Sequence, residues 1–473
     1  MTDRRGSDGM SRRVVLAGGA AAGAVAAGFA AAGPAAAAQS RTEAGAVAGT
    51  EAGTVAPAGN ADGARVRFDR WTSWADFVSG HSEGALALPG RRLGVVIGQP
   101  IGQVSYTDPY LNTTAEYEYA VWTSPSRRLD FGATQLTAHW NAETPQGTYI
   151  KVELLASMED GHQDTWVMGI WASGDGDIDR TSVNGQSNAY GEIDTDTWSS
   201  ETGHSLRSYK LRLTLLRRVG SHASPRVWQI GATASAVPNR TTVPATTPGP
   251  ATGITLNVKP YAQNIHKGQY VQYGGGGEAW CSPTSTEMVV EFWGKGPSAD
   301  QLAWVDPTYA DPSVDQAARF SYDYGYEGTG NWPFTCAYAA TYGLDAMVVR
   351  LNSLHEVEVL IAAGFPVVTS QSFTKAENGY YASDGHLWAV IGFDANGDVI
   401  VNDPASNSDD NVYTVYPRRM FETVWLRTNY TKADGSPGYG SGGIAYLIKP
   451  HGKALPRVVD PRNPSWPSDH CED

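Results

Sequence analysis

Cysteine is scarce in this chain. Three cysteines in 473 residues cannot form a disulfide scaffold, and no CxxC or Cys/His cluster has the spacing of a zinc site. Neither a metal nor an organic cofactor is expected. The odd count leaves at least one thiol without an intramolecular partner, and that thiol needs a chemical reason. Basic charge is also short: 35 Lys and Arg stand against 49 Asp and Glu, for a net charge of −14. With no basic run, such a chain repels phosphate backbones, so nucleic acid is excluded as an expected partner. Long apolar runs are missing beyond the N-terminus. What is present, 41% hydrophobic and 10% aromatic residues, suffices for real cores and rules out wholesale disorder. The length predicts two folded units joined by flexible segments.

The N-terminus carries Ser11-Arg12-Arg13-Val14-Val15-Leu16, then an Ala/Gly-rich stretch to Ala38. Paired arginines before a mildly apolar core and a small-residue end resemble a twin-arginine export signal, with cleavage after Ala36-Ala37-Ala38. The alternative is a membrane anchor, but Ala and Gly are poorly retained in lipid. Residues 1–38 are therefore expected to be a signal peptide, and the mature protein to be extracellular with no membrane span. Residues 39–64 lack large apolar side chains and read as a tether. A second break is the Pro/Thr stretch 237–252. Two domains are expected, 65–236 and 253–450, followed by a Pro-rich tail at 451–473.

The first domain alternates with period two, as in Leu136/Ala138/Trp140, Ile150/Val152/Leu154 and Leu211/Leu213/Leu215. An antiparallel β-sandwich or jelly roll is the expected architecture. The domain holds Trp71, Trp74, Trp122, Trp140, Trp166, Trp171, Trp198 and Trp228. Core packing is the default for tryptophans on apolar strand faces, and any left exposed would offer glycan contact by stacking on sugar rings. The second domain mixes periods. Pro283–Trp293 and Leu354–Ala363 read as helices. Pro366–Gln371, His386–Phe393 and Val399–Asn402 read as strands, with Asn396-Gly397 a hairpin turn. That is an α+β domain with its helix first.

Two motifs carry little. Gly80-His81-Ser82-Glu83-Gly84 fits a nucleophile elbow, but no helical pattern follows it. Asp175-Gly176-Asp177-Ile178-Asp179 hints at calcium, yet Arg180 and Gln186 stand where an EF-hand needs Gly and Glu.

The chemistry concentrates elsewhere. Gly274–Gly277 leads through Glu278-Ala279-Trp280 to Cys281, at the start of a helix that Pro283 opens. Free amides and the helix dipole favour the thiolate there, although a lone cysteine is by default a buried structural residue. Gly385-His386 sits at the mouth of an apolar strand, and Asn402-Asp403-Pro404 ends the next. Cys, then His, then Asp suits a mechanism in which the imidazole takes the thiol proton and the carboxylate orients the ring. Strict pairing through a two-residue turn would set Asp403 opposite Val390, too far from His386 for a hydrogen bond. A wider turn, a bulge, or His386 outside the ladder must close that gap.

Cys281-Ser282-Pro283 with Met288, Gly385-His386 and Asn402-Asp403-Pro404 together resemble the bacteriocin-processing (double-glycine leader) cysteine peptidase family, closest to its secreted stand-alone relatives. The likeness covers about 255–450. It implies a papain-like fold, with Cys281 as nucleophile, His386 as base and Asp403 as orienting acid. It also implies an oxyanion-stabilising glutamine before the cysteine. Gln263, in Pro260-Tyr261-Ala262-Gln263, matches that block, and Gln272 is the runner-up. The family's glycine after the nucleophile is Ser282 here, expected to crowd the site slightly. Transporter segments are absent, so leader specificity does not carry over.

The expected function is a secreted thiol hydrolase acting on a peptide or peptidoglycan-type amide. Acyl transfer to an amine is the alternative on the same fold, and a non-catalytic cell-wall or glycan-binding protein is the alternative from another class. Pocket loops such as Phe320–Trp332 are expected to carry specificity. A bond between Cys336 and Cys471 would account for the odd cysteine count, and a buried Cys336 with a free Cys471 would do so equally.

Overall fold

Period-two alternation turns the apolar side of Gln135–Glu143 (β1) and Arg226–Ala236 (β2) onto a tryptophan-rich interior. The computed structural model describes residues 63–456. The expected signal segment, nearly all of the expected tether and the tail from 457 onward, including Cys471, lie outside the described residues. Two antiparallel sheets of seven strands each make up the first region. In one, β1 pairs with β2, with Trp140 opposite Ile230. In the other, Leu206–Arg218 pairs with Thr148–Met158, with Leu213 opposite Val152. All four of these side chains share one core cluster between the sheets. Among the eight tryptophans only Trp74 is exposed, so they do not form an array for stacking on sugars.

The polar half of the alternation in β1 is not solvated. Thr137, His139 and Asn141 are buried, because the second region covers the outer face of β1 and β2. That second region orders its elements as Cys281–Phe292 (α1), Pro312–Ser321 (α2), Trp332–Ala340 (α3), Leu344–Arg350 (β3), Leu354–Ala362 (α4), Val367–Phe373 (β4), Ser383–Phe393 (β5), Val399–Asn402 (β6), Tyr413–Tyr416 (β7), Arg418–Leu426 (α5) and Ile444–Pro450 (β8). Six of its strands form one sheet in the order β3-β8-β4-β5-β6-β7, and Asn429–Thr431 and Pro437–Tyr439 pair as a separate two-stranded sheet. Alternate residues of β4 and β5 serve opposite faces. Val368, Leu387 and Ala389 pack with Met288 and Val289 of α1, while Val367, Trp388 and Val390 pack with Leu360 of α4 and Phe421 and Trp425 of α5. Helices thus cover both faces, which is why these strands read as continuous apolar runs.

The two regions share packing. Phe334, Ala337 and Tyr338 of α3 belong to the first region's core, and Phe334 meets Trp140 and Trp171 edge-on at centroid distances of 6.0 and 5.3 Å. Along the edge strand β3, Asn141 Nδ2 donates to the Ala346 carbonyl at 2.7 Å and Asn141 Oδ1 accepts from its N–H at 3.1 Å. Gln229 reaches the same carbonyl at 3.0 Å, and Thr233 donates to the Val348 carbonyl at 2.9 Å. The described residues cluster as one compact unit. The Pro/Thr stretch between the regions is a pinned strap rather than a loose connection: Arg240 donates to the Leu426 carbonyl at 3.0 and 2.8 Å, the Thr246 N–H to Glu422 at 2.9 Å, and the Gly249 N–H to Glu358 at 2.7 Å.

Candidate active site

Three glycines in succession, Gly274, Gly275 and Gly276, have φ of +75, +89 and +98°, a course that side chains resist. At the next position a Cβ on Gly277 would lie 2.2 Å from the Gln263 carbonyl oxygen. The run therefore wraps tightly around Gln263 before delivering Trp280, whose buried indole donates to the Tyr273 carbonyl at 2.6 Å. Trp280 is the N-cap of α1, and no side chain caps that end. Cys281 occupies the first helical position, half-buried. Pro283 has no N–H, and the Cys281 and Ser282 N–H groups have no partner among the described residues. Such an end can receive negative charge. Ser282 does not crowd the site as expected. Its hydroxyl turns into the core, bonded to Thr335 at 3.1 Å and Tyr446 at 3.0 Å.

One turn into α1, Ser285 donates to the Leu387 carbonyl on β5 at 3.0 Å. That bond pins the Cys281 helix beside the strand that carries His386. His386 is buried, and its Nε2 lies 2.9 Å from Asp403 Oδ1. Two departures from strict pairing bring them together. The hairpin closes at Asp394 and Asp398 around a wider loop than Asn396-Gly397 alone, and a bulge falls between Val390 and Gly392. Asn402 then pairs with Ala389, so Asp403 continues beside Trp388, the neighbour of His386 on the same face.

With Nε2 held by Asp403, Nδ1 is the nitrogen left for the thiol. Burial works against the charged imidazolium, but negative charge on Cys281 and the bond and charge of Asp403 outweigh it and raise the His386 pKa to about 10. Burial likewise opposes the Asp403 carboxylate. The charge and hydrogen bond of His386, with bonds from Tyr381 and Tyr416, reverse this and hold the acid below its ordinary range. Tyr381 and Tyr416 are partners that local sequence pattern does not reveal. Both donate to Asp403, and the Ala405 N–H adds a fourth donor at 3.0 Å. Asn378 in turn donates to the Tyr416 hydroxyl at 3.1 Å.

Gln263 is buried and joins both halves of this arrangement. Its N–H donates to the Pro404 carbonyl and its side-chain Nε2 to the Glu278 carbonyl, each at 2.8 Å. One amide hydrogen remains uncommitted. The runner-up, Gln272, is exposed. The assembled parts are a thiol at an uncapped helix end, an imidazole fixed by a carboxylate, and free N–H donors. Together they can pass a thiol proton to imidazole and receive an oxyanion. Among the described residues no group of His, Cys, Asp and Glu has the geometry to hold a metal ion. The Asp175–Asp179 loop instead pairs Asp175 with Arg319 at 2.7 Å.

Residues 67–235 match the family model of the Peptidase C39 N-terminal domain, and residues 255–433 match that of the Peptidase_C39 like family. No curated protein matches the chain.

Proposed function

Because the chain resembles C39-type papain-like cysteine peptidases over two adjoining segments, we propose that it is a secreted cysteine peptidase or amidase working through a thioacyl-enzyme. The observation that carries this is the 2.9 Å His386–Asp403 contact, with Cys281 acting on the same imidazole from an uncapped helix end. Cys281 Sγ gives its proton to His386 Nδ1 and attacks the scissile carbonyl. The oxyanion accepts from the Cys281 N–H and the uncommitted amide hydrogen of Gln263. Collapse expels the amine, which takes the proton from His386. Water, deprotonated by the same imidazole, then frees the acid and restores the thiol. The carboxylate of Asp403 holds the ring in place throughout. The substrate is a peptide or a peptidoglycan-type amide. Export through the segment around Arg12-Arg13 rests on its sequence pattern.

The test is a peptide-library digest comparing wild type with Cys281→Ala. Cleavage by the wild type that the variant lacks is expected; a fully active Cys281→Ala would sink the assignment.

A further inference from the structure

The loop Tyr322–Asn331, between α2 and α3, bonds to the segment that leads into Cys281, and the first region sets the course of that loop. Fully buried Arg180 donates to the carbonyls of Arg319 at 3.0 Å and Tyr322 at 3.3 Å. The Ser182 N–H donates to Asp323 Oδ1 at 2.8 Å, Asn184 to the Gly325 carbonyl at 2.6 Å, and the Trp332 N–H to Asp196 at 2.8 Å. Asp323, also fully buried, accepts from the N–H groups of Gly325 and Tyr326 at 2.9 and 3.3 Å, which folds the loop back on itself. The approach tolerates no side chain at 325, where a Cβ would lie 2.5 Å from the Ser182 carbonyl oxygen and from Thr181 Oγ1.

So held, the loop reaches the turn that precedes the nucleophile. Thr329 donates to the Ala279 carbonyl, just before Trp280-Cys281, at 3.0 Å. The Tyr326 ring lies over Gly328 and Gly330, where Cβ atoms would meet it at 2.7 and 3.5 Å. Its hydroxyl has no hydrogen-bond partner among the described residues. Burial, then the charges of Asp196 and Cys281, raise its pKa to about 12, so it stays a donor at neutral pH.

We propose that Tyr326 contacts the substrate, donating its O–H to a backbone carbonyl of the bound peptide, and that residues 65–236 are the template that holds it beside Cys281. The inference rests on the hydrolase assignment of Cys281 and deepens it. The sandwich is then a working part of substrate selection, acting through a loop it does not itself contain.

Wild type, Tyr326→Phe, Gly325→Ala and the double variant are compared on the peptide library, with iodoacetamide alkylation of Cys281 as a second readout. Tyr326→Phe should lower kcat/KM about tenfold, the loss of one substrate hydrogen bond, and leave alkylation unchanged. Gly325→Ala should lower kcat/KM at least as far, and the double variant should be no worse than Gly325→Ala alone. Unchanged kcat/KM in Tyr326→Phe overturns the proposal, whatever Gly325→Ala does to folding. So does alkylation that slows in step with cleavage, since the phenol would then act on the thiol. A wild type that cleaves nothing refutes the hydrolase assignment and this inference with it. Cleavage that Cys281→Ala abolishes and Tyr326→Phe leaves intact refutes this inference alone.

Discussion

Tyr381 spans the Asp403 carboxylate, donating its one hydroxyl to Oδ1 at 3.0 Å and Oδ2 at 2.8 Å. Tyr416 reaches Oδ2 at 2.8 Å. With the Ala405 N–H and His386, these phenols leave the carboxylate no freedom to turn away from the imidazole. In the proposed mechanism both act through Asp403, as positioning residues. Replacing both with Phe should cut kcat about three- to tenfold at neutral pH, as an oriented base becomes loosely held. The same change should move acid unfolding to higher pH. A lowered Asp403 pKa contributes stability that is present above the ordinary 3.8 and lost as pH falls. Removing two donors shrinks that contribution. An acid-unfolding midpoint that stays put in the double variant would contradict the clamp.

The two described thiols should differ sharply in reactivity. Cys336 is fully buried, and burial together with the Asp196 charge pushes its pKa well up, while Cys281 is half-buried at a helix end. Iodoacetamide at neutral pH should modify Cys281 in the native protein, with activity lost in proportion, and leave Cys336 untouched. Peptide mapping that finds both alkylated at similar rates would argue against the assignment.

His386 and Asp403 should behave as one unit. Single and double alanine variants are expected to lose nearly the same rate, not the product of two losses. Stability should also depend on the pair. A His386 pKa raised from 6.5 to about 10 contributes stability that is fully present below 6.5 and lost as pH rises through about 10. Denaturant melts across that window should show the decline in wild type and its absence in His386→Ala.

The proposed mechanism does not use a second buried acid. Glu287 accepts from Tyr338 at 2.8 Å through one oxygen, while the other has no partner. Burial raises its pKa to about 8, so stability should fall as pH rises from about 4.5 to 8, where the folded protein must surrender a proton it favours keeping. Glu287→Gln should remove this slope and melt at a higher temperature than wild type above pH 8. A slope that survives the substitution would exclude Glu287 as its source.

One cooperative transition is expected on heating, because α3 sits in the core of the first region. Arg180→Ala strips donors from the carbonyls of Ala172, Gly174, Arg319 and Tyr322. It should cost about 3 kcal/mol or more. Two well-separated calorimetric endotherms in the wild type would show that the regions fold independently.

Legibility in the sequence followed the range of the interactions. Cys281, His386 and Asp403 stand at the ends of elements marked locally by Pro283, by the apolar run after Gly385 and by Val399–Asn402. Their spacing on the sheet was not readable, because the bulge beside Ile391 has no signature in the pattern. Tyr381 and Tyr416 are illegible for a related reason: each meets Asp403 across a turn or a strand, and nothing local marks the pairing. Helix α3 is buried on every side, and a helix without a polar face shows no amphipathic stripe in the sequence. Asn141 falls on the polar side of the Leu136/Ala138/Trp140 alternation, yet it meets the edge of another sheet, as Gln229 and Thr233 do.

A strand at the edge of a sheet offers unpaired N–H and C=O groups on which a second molecule can add a strand. On β3 the N–H and carbonyl of Ala346 and the carbonyl of Val348 are already occupied by side chains of the same molecule. The opposite edge of that sheet, β7, presents Tyr413 and Val415 to solvent. Aggregation by strand addition to the peptidase-like sheet therefore has an open route at Tyr413–Tyr416 and a sealed one at Leu344–Arg350.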